Sequence, residues 1–206
     1  ILRPEDLNAH GQELARFHRI TKARFACIRT ARRLKGNFSL ITKVYKNSAE
    51  DLRSNREVAP AAQWLLDNYY IIEEQVKEIQ RTLRGRRFRE LPVLSNGHLR
   101  GNPRIYAIAL EFIGHTDGRL EREHLVSFVN AYQERAKLTI AEIWSLSLMV
   151  QIALVEKARA ACELVAATHR QWRQAEELLD RTKQEKILEQ LEGKLSPSFI
   201  EHLMEI

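Results

Sequence analysis

The sequence predicts an all-α protein of about six to eight helices packed around a buried central helix that starts at Thr139. Three observations carry this. Apolar residues recur at three- and four-residue steps through almost the whole chain. Only 8 Gly and 5 Pro interrupt 206 residues. No run alternates with the period of two that a half-buried strand requires. The stretch TIAEIWSLSLMVQIALVEKARAACE, from Thr139, is the focus. Thr139 and Glu142 have capping-box spacing, and the apolar residues after them occur on every face, the pattern of a helix enclosed in a core. Ser145, Ser147, Gln151 and Glu156 break the run well short of the ~20 residues of a membrane span.

The preceding elements are set by local chemistry. Pro4, Glu5 and Asp6 suit a helix start, and Leu7, Leu14, Phe17 and Ile20 give it an apolar side. Leu34, Phe38, Ile41, Tyr45, Ser48 and Leu52 form one helical face, which ends at Ser54–Asn55 ahead of Ala59–Pro60. Pro60 opens the next helix, whose Ala62, Leu65, Tyr69, Ile72, Val76, Ile79 and Leu83 repeat as a heptad seam, so these two helices are expected to pair antiparallel. Glu90 to Asn102, with Pro92, Asn96–Gly97 and Gly101, reads as the clear loop of the chain. Pro103 starts a further apolar helix that closes on Gly114–Gly118, where Asp117 is placed to cap the next helix. Leu125, Phe128, Val129, Tyr132 and Ala136 mark that next one. After Ala161 the helical pattern runs on or breaks near Ala166–Thr168, becomes charged, and gives way to a last helix from Ser196–Pro197. The whole is expected to be a single helical domain, 1–206, with a possible subdivision into a core, 1–165, and a charged extension, 166–206. Starting at Ile1 and ending inside a helical pattern, it reads as part of a longer polypeptide.

The net charge is +6, a mild basic excess compatible with acidic partners without demanding one. Two Cys, at 27 and 162, are too few and too isolated for a metal site. From Arg16 to Lys35 there are eight Lys or Arg and no acid, and Arg84-Gly85-Arg86-Arg87-Phe88-Arg89 is a second basic cluster. The first is read foremost as a solvated face with stems covering apolar surface, and after that as a phosphate- or lipid-binding strip; the second cluster lies at a helix end, where cations complement the helix dipole. No phosphate loop, His-x-x-x-His pair, Cys-x-x-Cys or nucleophile elbow is present. Glu73 and Glu74 are adjacent helix positions pointing about 100° apart, which does not make a glycosidase dyad. Glu111 and His115 can share a helix face, and a carboxylate–histidine pair can transfer a proton or simply satisfy itself as a buried hydrogen bond. Aromatic residues such as Trp64 and Trp144 are read as packing before sugar stacking.

Several ordered blocks carry a resemblance. APAAQWLLDNYYIIEEQVKEIQ runs from Ala59 to Gln80 and is followed by FRELPVL, GNPRIYAIALEFIGHTDGRL, FVNAYQ and LTIAEIWSLSLMVQIALVEKAR. Together these blocks resemble the N-terminal region of bacterial cyclic β-1,2-glucan synthases, most densely from Pro60 to Arg159. The resemblance implies a large membrane glycosyltransferase that builds a β-1,2-glucan from UDP-glucose on a protein-attached primer and cyclises it, with catalytic modules downstream. Neither the Asp-x-Asp nor the Gln-x-x-Arg-Trp motif of such transferases occurs here, so no catalytic residue, metal ligand or cofactor is carried over. Trp64, Glu73, Glu74, Arg104, His115 and Asp117 match the blocks and are the candidate binding positions, with structural roles preferred. The expected function is a non-catalytic accessory or scaffold domain partnered by downstream catalytic domains, at the cytoplasmic face of the bacterial inner membrane. A glucan-binding module is the first alternative. A basic helical binder of nucleic acid or anionic membrane is the second alternative and ranks lowest, because no recognition motif accompanies the charge; nucleic acid is not an expected partner.

Overall fold

The computed structural model describes residues 3–23 and 25–181, with helices α1 (Pro4–Phe17), α2 (Ile28–Arg53), α3 (Pro60–Leu83), α4 (Arg104–His115), α5 (Arg122–Gln133) and α6 (Ile140–Arg181). A 3₁₀ turn covers Arg86–Phe88, and two strands of two residues, β1 (Ile20–Thr21) and β2 (Val93–Leu94), pair antiparallel with Ile20 opposite Leu94. The all-α class is therefore correct. A two-residue ladder is too short to imprint an alternating pattern on the sequence, so it was not foreseen. The final helix expected from Ser196, the charged stretch beyond Arg181 and Arg24 of the basic strip lie outside the described residues.

The chain forms two compact units, one from Ile1–Ser39 and Tyr69–Arg159, the other from Leu40–Asn68 and Ala160–Ile206. In the first, the buried apolar set includes Leu7, Leu34, Val76, Ile79, Leu83, Phe88, Phe112, Phe128 and Met149. In the second it includes Ile41, Val44, Ala62, Leu65, Cys162 and Ala175. The seam read for α3 is thus buried at Ala62, Leu65, Val76, Ile79 and Leu83, and half-buried at Tyr69 and Ile72. Phe38 of α2 stacks on Tyr69 of α3, with ring centroids 6.1 Å apart and planes 14° apart. Three residues expected on apolar faces are exposed: Phe17, Ile20 and Leu52. The helix ends at Phe17 and His18 is extended, which drops Ile20 out of helical register, while Leu52 lies in the last turn of α2.

Helix α6 corrects a larger expectation. It is continuous through Ala166–Thr168, but its N-terminal turns are not enclosed. Glu142, Ser145, Met149, Ile152 and Ala153 bury one face, whereas Ile140, Ile143 and Trp144 are exposed. An apolar composition on every face does not say which face finds a partner. The enclosed helix is α4, with eight of its twelve residues buried. Pro103 leads into it, and the segment before it is no open loop. Leu91, Val93, Leu94 and Leu99 are buried, the Leu94 N–H donates to the Asn102 carbonyl at 2.9 Å, and the Ser95 N–H donates to the Arg19 carbonyl at 2.8 Å. Gly97 and Gly101 have φ of 71° and 81°, the left-handed conformation that glycine adopts without strain. α4 ends in another such turn, where Asp117 has φ 54° and the Gly118 N–H reaches back to the Ile113 carbonyl. Asp117 does not cap α5, whose N-cap position is Glu121.

The start of α6 is locked to α4. The Thr139 N–H donates to Glu142 Oε2 at 2.8 Å, and the Glu142 N–H donates to Thr139 Oγ1 at 3.2 Å, completing the capping box. Arg104, in the first turn of α4, donates from its guanidinium to both oxygens of the same carboxylate, at 2.8 and 2.7 Å, and to the Lys137 carbonyl at 3.0 Å. Arg104 is 4% exposed and Glu142 0%, so this ion pair is almost fully desolvated. Burial acts to lower the Arg104 pKa, but the bonds and attraction from Glu142 outweigh it and the net shift is upward.

Removing one partner leaves an uncompensated buried charge. Arg104→Ala and Glu142→Ala are each expected to cost about 3–5 kcal/mol in urea unfolding followed by circular dichroism. Arg104→Met combined with Glu142→Leu should recover most of that loss. Thr139→Ala, which removes the cap hydroxyl alone, should cost about 1 kcal/mol.

Candidate functional site

In the first unit, α1 lies against α5 and α4 and brings a histidine to the carboxylate–histidine pair of α4. His10 Nε2 is 3.0 Å from Glu111 Oε2, and His115 Nε2 is 3.4 Å from the same oxygen. The two imidazoles meet edge to face with centroids 4.4 Å apart, and His10 also stacks on Phe128. All three side chains are partly exposed. Helical geometry explains the α4 half, since Glu111 and His115 are four residues apart on one face. Reciprocal amide–hydroxyl bonds between Asn8 and Ser127, at 2.9 and 3.0 Å, hold α1 in register on α5.

A second histidine of the α1 end continues the polar cluster inward. His18 Nδ1 is 3.0 Å from the Tyr132 hydroxyl, and Tyr132 is itself buried beside Arg104. Burial, reinforced by the positive charge of Arg104 and opposed by Glu111, lowers the His18 pKa to about 4. Burial pushes the Tyr132 hydroxyl up to about 12, so it stays protonated and available as a donor. Elsewhere in this unit Glu156 accepts both guanidinium bonds of Arg33 and the hydroxyl of buried Tyr106. Burial raises the pKa of the Cys27 thiol to about 12 and that of the Cys162 thiol to about 11, which denies either one a thiolate at neutral pH.

The sequence candidates do not converge on one site. His115 joins the His10–Glu111 cluster and Arg104 is consumed by Glu142. Glu73 pairs with Lys77 one turn on, and Glu74 is exposed. Asp117 is exposed and bonds Lys157, which lowers its pKa. Trp64 belongs to the second unit and is exposed. His10 was missed because it lies 101 residues from Glu111, and no spacing rule connects them.

The two basic clusters do meet. A cavity of about 630 Å³ in the first unit has an apolar lining from Phe25, Ile28, Phe38, Leu83 and Phe88, with Lys35, Lys77, Arg84 and Arg89 also on its wall. Side chains on either side of the α2 start and the α3 end thus face one space, although their sequence positions are far apart.

His18 gives a pH signature. Its folded pKa lies below the ordinary 6.5, so the unfolded chain binds the extra proton between about pH 6.5 and 4. Stability from this group is present above pH 6.5 and lost as pH falls toward 4. The urea midpoint of the parent relative to that of His18→Gln should fall as pH is lowered across that interval, because only the parent carries a buried imidazole that resists protonation. A parent-minus-variant difference that stays constant with pH would contradict this.

No protein-family model matches the chain. Over 179 residues, 86% of its length, it is 32% identical to the cyclic beta-(1,2)-glucan synthase NdvB of Rhizobium meliloti (strain 1021). The chain spans only 6% of that protein. Among the described residues no helix is long and apolar enough to cross a membrane. The resemblance read from the ordered blocks is real, and the chain is related in sequence to the cyclic β-1,2-glucan synthases over a segment that is a small part of NdvB.

Proposed function

We propose that this chain is a non-catalytic helical accessory domain of a cyclic β-1,2-glucan synthase-like membrane glycosyltransferase, where it scaffolds other domains of the same polypeptide at the cytoplasmic face of the inner membrane. The observation that carries this reading is the stripe at the start of α6. Ile140, Ile143 and Trp144 are 68%, 43% and 72% exposed. Their i, i+3, i+4 spacing puts them on one side of the helix, and the buried Arg104–Glu142 pair fixes the turn that presents them. A large aromatic flanked by two isoleucines on a rigid helix start has the make-up of an interface anchor. In this reading UDP-glucose transfer belongs to the parent protein, and the helical region contributes position.

The test is made in the synthase-like protein that contains this chain. Trp144→Ala with Ile143→Ser should lower β-1,2-glucan output several-fold, while circular dichroism and the urea midpoint of the 206-residue chain stay unchanged. Undiminished output would sink the scaffold reading.

A second reading is favoured by the basic cavity. An apolar pocket with Lys35, Arg84 and Arg89 on its wall suits an anionic amphiphile, with acyl carbons inside and a phosphate outside. Binding to vesicles containing phosphatidylglycerol should weaken as salt rises and fall several-fold in Lys35→Glu/Arg84→Glu. Equal binding to neutral phosphatidylcholine vesicles would count against it.

A further inference from the structure

The geometry points to a divalent transition-metal site formed by His10, Glu111 and His115, with Zn²⁺ as the fitting ion, clasping α1 to α4. One nitrogen from each imidazole and one carboxylate oxygen lie within 4.8 Å of one another. The carboxylate oxygen is 3.0 and 3.4 Å from the two Nε2 atoms. Zn–N and Zn–O bonds of about 2.0–2.1 Å set tetrahedral ligand–ligand edges of about 3.3 Å, so the two measured edges already match. Two neutral imidazole nitrogens and one carboxylate oxygen are a borderline-soft, N-rich set that suits zinc and cobalt better than calcium or magnesium.

The ligands are held before any ion arrives. Glu111 and His115 are fixed by one turn of α4, the enclosed helix of the unit. His10 is fixed by the closeness of α1 to α5. A Cβ on the next residue, Gly11, would come within 3.1 Å of both the Phe128 ring and the Phe128 carbonyl, so that approach depends on glycine. The Asn8–Ser127 bonds set the register along the helix, and the Phe128 ring supports the face of His10. Partial exposure of all three ligands leaves an entry path and room for water as a fourth ligand. A bound ion would close a long chain segment, and because it binds the folded state it would raise stability with metal concentration.

The inference is tested on the untagged 206-residue chain after chelator treatment. Equilibrium dialysis should show saturable, equimolar Zn²⁺, Co²⁺ should give the visible absorption of a tetrahedral or five-coordinate site, and Zn²⁺ should raise the melting temperature. Glu111→Gln keeps a hydrogen-bonding group between the two imidazoles but is a poor ligand. Glu111→Gln and His10→Asn should each weaken Zn²⁺ binding by roughly 100-fold, with metal-free melting close to the parent, since losing a ligand costs at least as much as losing its supporting shell. In the unmutated chain, Zn²⁺ should protect His10 and His115 together from diethyl pyrocarbonate, and chelator should reverse this. The absence of saturable binding, binding that survives both substitutions, or protection of other histidines in place of this pair would overturn the site. None of these readouts depends on glucan synthesis, so the metal site and the scaffold reading can fail separately.

Discussion

The first unit depends on a single carboxylate. Glu142 closes the capping box of α6 and at the same time neutralises Arg104 at the start of α4. A capping box on a surface helix is a local device. Here the carboxylate is fully buried, so the cap is complete only when α4 has docked, and Arg104 is tolerated inside only when α6 has begun. Two helix starts far apart in sequence are thereby made conditional on each other. The exchange is specific because the guanidinium fork and the carboxylate match in two bonds, which a lysine could not reproduce.

Much of the fold could be read from residues whose message is local. Pro60 at the first position of α3, the α3 seam and the Thr139–Glu142 spacing all name their own structure, and the structure agrees at each. Burial was less legible. The segments that became α4 and α6 both look apolar all round, and only the topology decides that Ile108 is enclosed while Trp144 faces outward. The polar cluster was half legible. Glu111 and His115 declare themselves by a four-residue step, whereas His10 arrives through the packing of α1, and Glu142 hid a buried ion pair behind its capping role.

Kinship with the cyclic glucan synthases rests on ordered blocks rather than on any motif that performs chemistry. Of the acids flagged in the sequence, Glu73, Asp117 and Glu142 are paired with lysine or arginine, Glu74 is exposed and Glu111 sits between two histidines, while both thiols are held protonated. What the unit displays outward is an apolar helix start and a basic, apolar-lined cavity.

The small β1–β2 ladder has a consequence for how this protein coexists with its own copies. A sheet edge is a template on which another extended chain can pair, and the risk grows with the length of the open edge. Each strand here is only two residues long. β1 is followed by Lys22, while β2 is flanked by Pro92 and is engaged beyond the ladder by Asn102 and Gly101. The chain gains a tie between the exit of α1 and the entry of α4, and among the described residues it displays no strand long enough to recruit a second molecule.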